Sequence, residues 1–327
     1  MFISNNMKKI LFTFVFVSFI IYACFHPNVV VEASKNGILI WFQQILPALL
    51  PFTIFSSILL KTRFLDSMKG NSNVIAIVIT MICGFVFGFP IGAKLASDFY
   101  INHMLSEKQA TFLAITTNNF SPMYVCGFAL PLLFGTDQYN TATYILLYLL
   151  PLIVAAVYLI VTYMRESTLL QSSQNLVRLA ENDKTDKRTD VYSPTFHLNM
   201  QILDESIVNG FLSLIKICGY IVFFSIMAEI CIKLWTNPPA IWDFLLKNLE
   251  ISNGISLLSH DIYIETSKYV LAIQLLSFGG LSGIAQTASL LEASGLSTYK
   301  YIIGKVTLSL FLTLLSVIYV SCFILQL

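Results

Sequence analysis

The sequence predicts an all-α polytopic membrane protein whose helices break inside the bilayer. Three observations carry this expectation. Of 327 residues, 56% are hydrophobic and 11% charged, with a mean hydropathy of +0.76, whereas a soluble domain carries roughly 25% charged residues. Apolar runs long enough to cross a membrane recur along the chain. Several of those runs contain glycine, proline, lysine or asparagine. In hydrocarbon every backbone polar group needs an internal partner, so interrupted backbone survives only inside protein or beside a watery cavity.

Taken in order, Lys8 and Lys9 precede an apolar run over 10–25. It reads as a retained signal-anchor helix, because the chain soon re-enters the membrane. Tyr22 is too bulky for the lipoprotein-like box at Ile21-Tyr22-Ala23-Cys24. A span is predicted over 38–60, with Pro47 and Pro51 inside it, and an interrupted stretch follows over 74–105, with Pro90 near its middle. Spans over 108–134 and 142–164 complete the first half. The polar stretch 165–205 reads as a solvated linker. Spans over 206–234, 268–291 and 300–325 follow, with a shorter mixed segment over 238–260 between the first two. The expected organisation is an N-terminal anchor helix and outer segment (1–37), a first membrane repeat (38–164), a cytoplasmic linker (165–205) and a second membrane repeat (206–327).

Cytoplasmic loops should hold the excess Lys and Arg. If 74–105 enters, turns near Pro90 and returns, then Lys8/Lys9, the 61–69 loop, the linker and Lys300/Lys305 all fall inside. The same logic puts 238–260 on the outer side, as a second re-entrant hairpin or an outer loop. Seven crossings and two hairpins result, with the N-terminus inside and the C-terminus outside. Both halves then read span, hairpin, broken span, span, in opposite orientations. An offset of 168 pairs Asn118 with Gln286, Asn119 with Thr287 and Ser121 with Ser289, and it matches Phe55, Ser57 and Ile58 to Phe223, Ser225 and Ile226. Inverted repeats with discontinuous helices and a midplane site mark secondary transporters.

The candidate site residues lie at the interruptions. Gly84, Gly88 and Gly92 recur every four residues, a pattern suited to close helix packing. Pro90 breaks the helix within it and frees N–H groups near Gly92 that could face an anion. Lys94 is either a cation offered to an anionic substrate or a side chain reaching the surface, and Asp98 stands one turn later. Asn118, Asn119 and Ser121 precede Pro122 inside an apolar span, and Ser282, Gln286 and Thr287 follow the Gly279-Gly280 pair. Glu250, Ser252 and Asn253 would form the tip of the second hairpin, where Glu250 either binds a coupling cation or proton or lies in a solvated loop.

Other classes are disfavoured. A net charge of +1 gives no case for nucleic acid. The six cysteines and four histidines are scattered, without the spacing of a disulfide framework or metal site. Gly280-Leu281-Ser282-Gly283 matches the GxSG of rhomboid proteases, but that chemistry needs a later histidine and none follows His260. No enzyme is expected. The expected partners are a small-molecule solute and membrane lipids, a homo-oligomer is allowed but not required, and no cofactor is needed beyond a coupling ion, Na+ or H+.

Four motifs then occur in a specific order: Gly88-Phe89-Pro90-Ile91-Gly92-Ala93-Lys94-Leu95, Asn118-Asn119-Phe120-Ser121-Pro122, Glu250-Ile251-Ser252-Asn253-Gly254, and Gly279-Gly280-Leu281-Ser282-Gly283-Ile284-Ala285-Gln286. Leu46-Pro47-Ala48-Leu49-Leu50-Pro51-Phe52 precedes them. In this the chain resembles the YlbJ-type sporulation integral membrane proteins, also called SpoVV, over about residues 27–325. The resemblance implies the nucleoside-recognition (Gate) group, a fold similar to concentrative nucleoside transporters, and movement of dipicolinic acid across the outer forespore membrane of a bacterium. It also implies two alternatives: a nucleoside-type solute, or a non-transporting scaffold in spore-envelope assembly.

Overall fold

The computed structural model describes residues 5–62, 72–135, 139–161, 199–235 and 238–324. These residues are mostly helical, with no strand among them. Helix α1 (Asn5–Phe25) is followed at once by α2 (Pro27–Ile40), which a π-helical turn at Trp41–Ile45 joins to α3 (Leu46–Lys61). Pro27 occupies the first turn of α2, where its missing N–H costs nothing. The outer segment expected before residue 38 is therefore helix, bent about 100° from α1 at His26.

The stretch after residue 71 is a hairpin. Helices α4 (Ser72–Phe87) and α5 (Ile91–Ile101) flank a tip at Gly88–Pro90. Gly88 adopts φ +73°, and the Phe89–Pro90 bond is cis. The open end is tied, because Asn73 Nδ2 donates to the Met104 carbonyl at 2.7 Å and to Gln109 Oε1 at 3.1 Å. The hairpin thus starts and finishes at the same place. Its three glycines do not form one helical face, since Gly88 ends the helix. Gly84 and Gly92, on opposite arms, instead clasp Thr117: a Cβ on either would lie 2.6–2.8 Å from the Thr117 side chain.

A broken span follows. Helix α6 (Glu107–Thr117) begins with a capping box between Ser106 and Gln109 and stops at Asn118. After the break, α7 (Pro122–Tyr124), a π turn (Val125–Ala129) and α8 (Leu130–Phe134) continue as one helix, capped by Ser121. Then come α9 (Asn140–Tyr144), a π turn (Ile145–Leu149) and α10 (150–161).

The expected linker lies largely outside the described residues, which resume at Asn199. Helix α11 (Met200–Leu234) starts six residues before the expected Ser206, because Asn199 Oδ1 caps it at the Ile202 N–H, 2.8 Å away. It runs antiparallel to α2 and α3. Gly37 approaches Val222, Gly210 approaches Ile54, and Trp41 Nε1 donates to the Leu214 carbonyl at 2.9 Å.

After α11 the order hairpin, broken helix, span occurs again. Helices α12 (Ala240–Lys247) and α13 (Ile251–His260) form a second hairpin. Lys247 pairs with Asp243 on its own helix and ties the two arms through Asp261, 3.1 Å away just after α13, and Gly254 packs on the Lys247 carbonyl, leaving no room for a Cβ. Helices α14 (Glu265–Phe278) and α15 (Gly280–Ser294) meet at Gly279 and Gly280, both left-handed. Helix α16 (Thr298–Tyr319) ends in a π turn at Val320–Ile324. Element starts do not follow the offset of 168. Ile251 follows Ile91 by 160 residues, while Glu265 follows Glu107, Gly280 follows Pro122 and Thr298 follows Asn140 by 158 each.

The protein is an integral membrane protein. By length and composition, four helical stretches among the described residues can cross a bilayer: Asn140–Val161, Met200–Leu234, Glu265–Ser294 and Thr298–Cys322. The bent pair Phe16–Phe25 and Pro27–Gln43 makes a fifth if counted as one span. The expected number was seven. The shortfall includes the 108–134 stretch, which no single helix spans because it breaks at Asn118–Ser121. Exposed apolar side chains such as Leu310, Leu314 and Ile318 on α16 suit contact with lipid.

Candidate functional site

Each hairpin tip docks on the helix break of its own half through the backbone. The Phe89 N–H donates to the Asn119 carbonyl at 2.5 Å. In the second half the direction reverses, and the Leu281 and Ser282 N–H groups donate to the Asn248 and Leu249 carbonyls at 2.7 and 2.9 Å. These bonds satisfy backbone groups that breaking a helix inside a membrane exposes. The remaining groups of the tips and breaks meet at one cavity of about 480 Å³.

Its walls come from both halves: Phe89 and Pro90 at the first tip, Phe120, Ser121 and Tyr124 at the first break, Glu250, Ile251 and Ser252 at the second tip, and Gly279, Ser282, Gly283 and Gln286 at the second break. Phe87, Phe128, Ile217 and Ile221 add apolar surface. The π turn between α2 and α3 presents Gln43 and Ile45, and such widened turns recur at functional sites. Tyr124 Oη and Ser252 Oγ lie 3.1 Å apart, bridging the first break to the second tip. The Phe120 and Tyr124 rings stack at 4.9 Å, and Phe89 lies 5.8 Å from Phe120.

The polar lining is rich in acceptors. Glu250 is 3% exposed, and its Oε2 caps α13 by accepting the Asn253 N–H at 2.9 Å. Gln286 is 6% exposed. Its Nε2 donates to Ser282 Oγ at 3.0 Å, while its Oε1 has no hydrogen-bond partner among the described residues. A buried carbonyl left in that state costs about 1–3 kcal/mol, so the group is poised for a ligand that donates. Among the described residues no Lys, Arg or His lines the cavity. Positive potential there comes from the N-terminal ends of α13 and α15, whose first turns face it.

Five of the residues singled out from the sequence therefore line the cavity: Ser121, Glu250, Ser252, Ser282 and Gln286. The others lie elsewhere. Asn253 contributes its backbone to the Glu250 cap. Gly92 packs on Thr117. Asn118, Asn119 and Thr287 form a buried network behind the wall. Asn118 Nδ2 donates to Thr287 Oγ1 at 3.0 Å and to Tyr301 Oη at 2.9 Å. Asn119 Nδ2 donates to the Thr116 and Leu147 carbonyls. Asn118 and Gln286, paired by the expected offset, are joined only indirectly, since Thr287 takes the asparagine.

Lys94 is away from the cavity. It pairs with Asp98 at 2.8 Å and lines a separate hollow of about 390 Å³ with Ser57, Lys61, Asn209, Ser213 and Lys216. One turn past the tip, its position on α5 points it at α3 and α11.

A different lysine is buried at the first break. Lys305, expected from the sequence to be a cytoplasmic charge, is 2% exposed. Its Nζ donates to the Asn118 carbonyl at 2.7 Å and to Asn119 Oδ1 at 2.8 Å. The one signal in the sequence is its place in a mainly apolar span. The aromatic walls were not anticipated either, because in a chain with 26 Phe and 15 Tyr nothing local distinguishes those facing a cavity.

No family model matches the chain, and no solved structure matches it. A curated relative does: the sporulation integral membrane protein YlbJ of Bacillus subtilis (strain 168), 32% identical over 113 residues. The alignment covers 31% of this chain and 27% of the relative. Over that stretch the chain is similar to the YlbJ-type sporulation integral membrane proteins, the family its motifs resemble.

Proposed function

We propose that the protein is a non-catalytic membrane transporter for a small heteroaromatic solute, bound in the cavity between the two hairpin tips and the two helix breaks. The observation that carries this reading is the cavity itself. Four backbone interruptions, far apart in sequence, meet around aromatic walls and a buried acceptor, Gln286 Oε1, that the described residues leave without a partner. A planar ring would stack among Phe89, Phe120 and Tyr124, and its donors would reach Gln286, Glu250 and the serine hydroxyls. The matching order of elements, starting 158–160 residues apart, and the antiparallel packing of α11 on α2 and α3 support an inverted repeat, the design in which such sites lie near the midplane. Ser282 accepts a hydrogen bond from Gln286, so the two side chains would meet the solute together.

The resemblance suggests dipicolinate and the outer forespore membrane. For a dianion the support is the helix N-termini of α13 and α15, since Lys94 is elsewhere. The lining without lysine or arginine, with Glu250 and Gln286 both acceptors, favours a neutral ring bearing donors, as in a nucleoside. Uptake into proteoliposomes, with unlabelled dipicolinate and neutral nucleosides as competitors, tests the proposal. The reading expects stronger inhibition by the neutral ring. Stronger inhibition by dipicolinate would reverse the charge assignment, and no uptake of either by folded protein would favour a scaffold.

A further inference from the structure

A helix broken in a membrane exposes the carbonyls at the C-terminal end of its first half, where partial negative charge collects. In transporters built on such breaks, these oxygens are where a coupling cation is held. At the first break of this protein a cation is already supplied by the chain. The Lys305 ammonium lies 2.7 Å from the Asn118 carbonyl, at the end of α6, and 2.8 Å from Asn119 Oδ1.

The surroundings resemble an ion's more than a salt bridge's. Among the described residues no carboxylate pairs with Lys305. The neighbouring polar positions on α16 make uncharged bonds: Tyr301, one turn before, bonds Asn118 and Thr287, and Ser309, one turn after, bonds the Ser277 hydroxyl and the Gln274 backbone carbonyl. The positive charge is held by a backbone carbonyl and an amide oxygen, the ligand types that hold hard metal cations. Burying a charged lysine is costly, and a methionine of similar length would avoid that cost.

We propose that the Lys305 ammonium is a tethered cation that fills the coordination position at the first helix break, so that the protein needs no free sodium ion there. The functional meaning rests on the transporter reading, but the chemistry can be tested without transport. Thermal unfolding of the purified, detergent-solubilised protein would be followed by tryptophan fluorescence in NaCl and in choline chloride of equal ionic strength. The wild-type protein is expected to unfold at the same temperature in both. Lys305→Ala, which vacates the position, should unfold several degrees lower in choline and recover part of the loss in a saturable way with Na+. Saturable stabilisation of the wild-type protein by Na+ would overturn the proposal, as would a Lys305→Ala loss of equal size in both salts. Should Lys305→Ala fail to fold in either salt, the wild-type comparison alone decides. Failed solute uptake would count against the transporter reading and leave this result standing.

Discussion

Replacing Gly88 by alanine should undock the first hairpin tip, and the cost can be built from the geometry. Gly88 holds φ +73°, a left-handed conformation that costs an L-residue about 1–2 kcal/mol. An added Cβ would overlap the Ser121 backbone nitrogen and lie 2.8 Å from the Asn119 carbonyl oxygen. That oxygen accepts the Phe89 N–H at 2.5 Å, so relieving the clash pulls the tip off its own hydrogen bond. Leaving a buried donor and acceptor unpaired costs roughly 1–3 kcal/mol. Together Gly88→Ala should destabilise the protein by about 2–5 kcal/mol. Gly219, in α11, has open space where a Cβ would project and no positive φ, so Gly219→Ala should be neutral or stabilising by up to about 1 kcal/mol. Denaturant unfolding of both variants in detergent, read by tryptophan fluorescence, makes the comparison. Equal midpoints for the two variants would refute the docked tip.

Other outcomes follow from the same geometry. Lys94→Gln should leave solute affinity within about twofold, because Lys94 pairs with Asp98 outside the cavity, and a loss beyond about tenfold in a binding titration would return it to the site. Gln286→Leu removes the unpartnered carbonyl and the bond to Ser282, and should weaken binding about three- to tenfold if the ligand donates to it. Single cysteines at Ser72 and Asn102 should label from the same side of the membrane, since Asn73 is bonded to Met104, and labelling from opposite sides would exclude a re-entrant hairpin.

The backbone interruptions were legible because glycine and proline have few uses inside an apolar run. Pro90, the Asn118–Pro122 stretch and the Gly279-Gly280 pair each mark a break. What side chains face was less legible. Lys94 and Lys305 both sit in apolar stretches, and sequence alone does not say which looks into the protein. Lys305 lands on the first break because α16 packs against α6 there, a contact between residues 187 apart in sequence. Asn118, Asn119 and Thr287 stand out as unusual polar residues, but whether such groups bind a ligand or each other depends on the packing of α6, α15 and α16. The offset of 168 followed side-chain matches in low-complexity apolar sequence, whereas the helix starts keep a spacing of 158–160.

If solute passes through the cavity between the tips and the breaks, obstructing that cavity must stop uptake. Gly127 lines that cavity and has open space where a side chain would project, so Gly127→Phe can obstruct it without disturbing the fold. The most direct measurement is uptake of a labelled heteroaromatic solute by proteoliposomes holding wild-type protein or Gly127→Phe, with equal thermal stability established first. Uptake by the wild type and its loss in Gly127→Phe are expected. Undiminished uptake by the obstructed variant would contradict passage through the cavity.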